Sequence, residues 1–77
     1  MLDENKILEL IEEMIQLQTK KVLECAQQFI PHITLEDVLQ PFDYPQLECN
    51  AYFRYEEGVL AGLQATRFAL LAHLTLL

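Results

Sequence analysis

The residues that could do chemistry are a glutamate pair at helical spacing, a scattered set of cysteines and histidines, and a dense run of aromatic rings. Glu9-Leu10-Ile11-Glu12 sets two carboxylates one helical turn apart. Helical magnesium-dependent hydrolases hold their cation with that spacing, completed by a second acidic pair on a neighbouring helix. The chain contains no E-x-x-D to complete it. Glu9, Glu12 and Glu13 also fall opposite the apolar stripe of their helix, which is where a solvated charged face belongs. A di-iron bundle needs E-x-x-H, yet Phe29 stands three residues before His32 and Leu70 three before His73. Cys25, His32 and Cys49 could share a zinc, but no short ligand pair such as C-x-x-C occurs. For nucleophilic catalysis there is no serine. Cys25 sits on a core-facing seam, where cysteine acts as a small hydrophobe. Cys49 follows the anionic Glu48, not a cationic neighbour of the kind that activates a thiol. The expectation is therefore a protein without catalytic, cofactor or metal residues.

The aromatic run points elsewhere. Phe42, Tyr44, Tyr52, Phe53 and Tyr55 crowd a short stretch that also holds Glu36, Asp37, Asp43, Glu48, Glu56 and Glu57, against Arg54 alone. Aromatic rings are enriched in protein-binding surfaces, and they serve equally well to plug the end of a helical bundle. The contact-patch reading places Phe42, Asp43, Tyr44 and Glu48 on a surface for another protein, a basic one by charge. Pro41 and Pro45 restrict the backbone there, which lowers the ordering cost on binding.

These residues must be positioned by helices. Leu8, Ile11, Ile15, Gln18, Val22, Cys25 and Phe29 follow the alternating three-four spacing of a helix seam. The pattern predicts a helix from about residue 3 to residue 30, stopped by Pro31. A second stripe, Ile7, Leu10, Met14 and Leu17, lies beside the seam. At about 100° per residue the two cover too wide a face for one neighbour, so this helix should touch two. Thr34-Leu35-Glu36-Asp37 is a capping box, with Ile33 and Val38 placed as its hydrophobic staple. It predicts a short helix over 35–40, ended by Pro41. The last helix starts either near Pro45 or after Asn50 as N-cap and runs to residue 77. Gly58, Gly62, Ala65, Ala69 and Ala72 form a stripe of small residues along it, the pattern that lets another helix come close. A large stripe holds Phe53, Leu60, Leu63, Leu70 or Leu71, Leu74 and Leu77. The run from Phe68 to Leu77 is apolar nearly all round, which predicts burial on most sides.

Bulk composition adds the stoichiometry. Seventy-seven residues form one domain at most, and chains this short are marginally stable alone. Yet 52% of the residues are hydrophobic, above the usual share. Oligomerisation is the simplest way to hide them. The net charge of −7, with basic residues scattered at Lys6, Lys20, Lys21, Arg54 and Arg67, argues against nucleic acid as a partner. Val59 to Leu77 has the length of a membrane span, but Arg67 near its middle costs about 2.5–3.5 kcal/mol on insertion. Met1-Leu2-Asp3-Glu4-Asn5-Lys6 is polar and acidic, unlike a secretory leader. The expectation is a cytoplasmic protein with both thiols free.

Together these readings predict an all-α chain forming one domain over 1–77. Two long antiparallel amphipathic helices make a hairpin with a short helix in the connector, and two copies dimerise into a four-helix bundle. The expected function is non-enzymatic: a small homo-oligomeric interaction module, whether adaptor, chaperone-like cofactor or assembly factor. A second reading makes it a subunit of a larger complex, its C-terminal helix covered by a different chain. A third makes it a small metal-dependent hydrolase.

Overall fold

Asp3 starts the first helix in the computed structural model, which describes residues 3–39 and 44–76. Helix α1 runs Glu4–Phe29. The Lys6 backbone N–H donates to Asp3 Oδ1 at 2.8 Å, satisfying one amide that a helix start leaves without a partner. Pro31 ends the helix. The residue before a proline avoids helical backbone, and Ile30 is indeed outside it, with φ −134° and ψ 88°.

The connector carries helices α2 (Leu35–Val38) and α3 (Pro45–Glu48). The capping box forms: Asp37 N–H donates to Thr34 Oγ1 at 3.4 Å, and Thr34 N–H donates to Asp37 Oδ2 at 3.2 Å. Its staple residues Ile33 and Val38 are both buried. Helix α2 is shorter than the pattern suggests. It ends at Val38, with Leu39 in a turn, and residues 40–43 lie outside the described ones. Pro45 opens α3, where its missing N–H costs nothing. Helix α4 then runs Ala51–Leu76. Asn50 caps it by accepting the Phe53 N–H at 2.9 Å. The two candidate starts of the last helix are thus both used, by separate helices. Among the described residues there is no strand.

Helices α1 and α4 pack side by side as an antiparallel hairpin. Each has 26 residues, about 39 Å at 1.5 Å per residue, which accounts for most of the 44 Å long axis. The core lies at the connector end. Val22, Ala26, Ile33, Val38, Leu47, Phe53 and Leu60 form one buried cluster there. Phe29, expected on the seam, is exposed, and Ala26 is fully buried instead. The reason is the connector: α2 and α3 pack on α1, and a small residue at 26 lets Ile33 and Leu47 close in.

Toward the free end of the hairpin the packing thins. Leu8, Ile11, Leu63, Leu70, Leu71 and Leu74 are only half-buried. The second stripe of α1, Ile7, Leu10, Met14 and Leu17, is exposed. So is Phe68, at 75%. Burial on most sides does not occur over residues 68–75, because α1 covers only one side of α4; Leu77 lies outside the described residues. Besides α4, helix α1 meets α2 and α3 within the chain, but these lie at the connector end and leave the second stripe uncovered. No helix among the described residues is long and apolar enough to cross a membrane.

Candidate interaction face

Two long-range contacts fix how the helices meet. Gln18, the one polar residue on the α1 seam, is 7% exposed. Its Nε2 donates to the Glu56 carbonyl oxygen at 2.9 Å and to Glu56 Oε2 at 2.7 Å. A buried amide without partners would cost free energy; here both bonds cross to α4, and one is charge-assisted. Farther along, Arg67 Nε donates to Glu12 Oε1 at 3.3 Å. The lone cation of the apolar stretch is thereby answered by a carboxylate that the helix pattern assigns to solvent. Glu12 is half-buried, while Glu9 and Glu13 remain exposed.

These contacts give the hairpin two unlike flanks. One has a shallow hollow lined by Glu12, Ile15, Gln16, Gln64 and Arg67. The other begins near the connector as a groove of about 750 Å³ lined by Lys21, Glu24, Cys25, Gln28, Phe29, Ala51, Tyr52, Tyr55 and Glu56. Tyr52 and Tyr55 are 76% and 68% exposed. Residues three or four apart share a helix face, so this second flank can be followed along both helices. On α1 it passes from Gln28 and Lys21 to Leu17, Met14, Leu10 and Ile7. On α4 it passes from Tyr52 and Tyr55 to Val59, Gly62, Thr66, Ala69 and His73. No Asp, Glu, Lys or Arg stands in the α4 series. The Thr66 hydroxyl donates to the Gly62 carbonyl oxygen at 2.9 Å.

Cys25 is the cysteine that lines the groove. Burial first, and the Glu56 carboxylate second, push the Cys25 thiol above its ordinary pKa of 9.0. A nucleophilic cysteine is tuned in the opposite direction. Cys49 is exposed, and both thiols are free. No group of three or more His, Cys, Asp or Glu among the described residues could hold a metal ion.

The sequence-derived candidates separate on the structure. Of the connector patch, Tyr44 is half-buried against the core cluster and Glu48 is exposed at the end of α3. Phe42 and Asp43 lie outside the described residues. The aromatic run divides: Phe53 is fully buried, while Tyr52 and Tyr55 stand out from α4. Gly58, Gly62, Ala65, Ala69 and Ala72 are all exposed and turn away from α1. A Cβ built on Gly58 or Gly62 would meet nothing within 4 Å. The Gln18–Glu56 and Glu12–Arg67 contacts escape sequence reasoning. Their signal was present, since a polar residue on an apolar seam and one cation in an apolar stretch each require a partner. No protein-family model, curated protein or solved structure matches the chain.

Proposed function

We propose that this protein is a non-enzymatic interaction module that works as a homo-oligomer and presents its connector end to another protein. The observation that carries the reading is the uncharged part of the second flank, which begins beyond Lys21, Glu24 and Glu56 of the groove. Four large apolar residues of α1 lie exposed beside an α4 series without a formal charge, and contiguous apolar surface of that kind marks interaction sites. The connector end is suited to a different partner. Glu36 and Glu48 are exposed on the connector helices, and Tyr52 and Tyr55 on the first turns of α4, a mixture of anions and rings that fits Arg or Lys side chains. Covering of α4 by an unrelated chain is the competing arrangement, and Phe68, exposed away from the uncharged flank, is the residue such a chain would take.

The test is capture with the tagged full chain from cells that express it. Wild type should retain a stoichiometric basic protein. A Tyr52→Ala, Tyr55→Ala variant should lose at least tenfold in affinity for it with its melting temperature unchanged, since both rings are exposed. Retention of that protein by the variant at full affinity, or the absence of any stoichiometric partner, would overturn the connector-end assignment.

A further inference from the structure

We propose that the uncharged flank is covered by a second copy of the chain, with α1 of each copy lying antiparallel against α4 of the other. The inference rests on the homo-oligomeric part of the reading above and adds which surfaces meet, and in what register.

Area gives the first argument. The chain exposes 5768 Å². A monomer of 9.0 kDa is expected to expose about 4,900 Å² by the usual scaling with mass. The excess is about 900 Å², close to the roughly 800 Å² each partner buries in a standard stable interface. Part of the exposed apolar surface lies on this flank, where Leu10, Met14 and Leu17 are 50%, 45% and 65% exposed.

Shape gives the second argument and selects the occupant. Contacts between residues 18 and 56 and between 12 and 67 set the height of one helix against the other. At the height where α1 shows the large residues Ile7, Leu10, Met14 and Leu17, α4 shows Val59, Gly62, Thr66 and Ala69. The two series lie side by side on one flank and do not meet within the chain. A two-fold axis parallel to the helices turns one series onto the other. Leu17 then faces the second copy's Val59, Met14 its Gly62, Leu10 its Thr66 and Ile7 its Ala69. Large residues meet short ones along the line, and Gly62, which has open space above it, receives the flexible Met14. A two-fold interface requires such self-complementarity, and a copy of the same chain supplies both series in matching register. The result is an antiparallel four-helix bundle in which each α1 touches two α4 helices.

Sedimentation equilibrium of the full chain over a range of concentrations tests the inference. Wild type should be a dimer. Leu17→Lys and Gly62→Leu should each weaken self-association at least tenfold while far-ultraviolet circular dichroism keeps its helical content. Gln64→Lys, on the polar flank, should leave the dimer intact. Register has its own readout that does not depend on these variants folding equally well. With Cys25→Ala and Cys49→Ala as background, a chain bearing Met14→Cys and a separate chain bearing Gly62→Cys should join by a disulfide on mixing and oxidation. A Gln64→Cys chain should not join the Met14→Cys chain. A wild type that stays monomeric at every concentration overturns the inference, as does a dimer indifferent to both Leu17→Lys and Gly62→Leu. A monomer whose uncharged flank is taken by a different protein also overturns it, along with the homo-oligomeric part of the reading above, while leaving the binding of another protein standing. A monomer that captures nothing overturns both.

Discussion

Gln18 shows how one residue decides which way two helices meet. Its amide reaches both the backbone and the carboxylate of Glu56, so sliding or rotating α1 against α4 would strand a buried polar group. Hydrogen bonds to charged groups contribute about 1.5–3 kcal/mol. Gln18→Ala should therefore lower unfolding free energy by about 2 kcal/mol in urea titration, with little change in slope. A loss below about 0.5 kcal/mol would mean that apolar packing alone sets the register. Arg67 works at the same scale but more weakly. Its bond to Glu12 is half exposed on both sides, and such pairs contribute little in water. The sequence made Gln18 and Arg67 visible as exceptions to an apolar pattern. It could not name Glu56 and Glu12, because partners 38 and 55 residues away depend on the register of the whole hairpin.

At the scale of elements, local chemistry was legible and distance was not. Caps and stops depend on neighbours in sequence, so Asp3, the Thr34 box, Pro45 and Asn50 act where their residue types place them. The Gly58 to Ala72 stripe was legible as a pattern, but not its direction. Within the chain it faces away from α1, since the large residues of α4 take that side. Gly58 is exposed in mid-helix, and the space beside it is open. Alanine is favoured there by about 1 kcal/mol. Gly58→Ala should thus raise the melting temperature by about 4–8 °C, given the usual entropy of domains this size. A lower melting point would place a close neighbour at Gly58 and extend the contact surface beyond the flank proposed above.

Across the whole molecule, the hairpin itself was legible because two long apolar patterns separated by prolines can hardly fold otherwise. The uneven distribution of its core was not. Both helices show apolar stripes along their full length, yet the buried cluster gathers at the connector, because only there do α2 and α3 add a third surface. That unevenness reaches beyond packing. Local opening starts where few apolar contacts resist it, and in a lone hairpin that place is the free end, residues 4–14 and 64–76. Those turns hold backbone that a protease can grip once it frays. In the dimer proposed above a second copy would cover them, and a lone chain leaves them open. Cleavage by a dilute protease should fall steeply as protein concentration passes the dimer dissociation constant, with the first cuts in the free-end turns by mass spectrometry. A cleavage rate independent of concentration would break this link between pairing and lifetime. Where the link holds, surplus copies are removed first, and the number that survive in a cell follows from the fraction that have found each other.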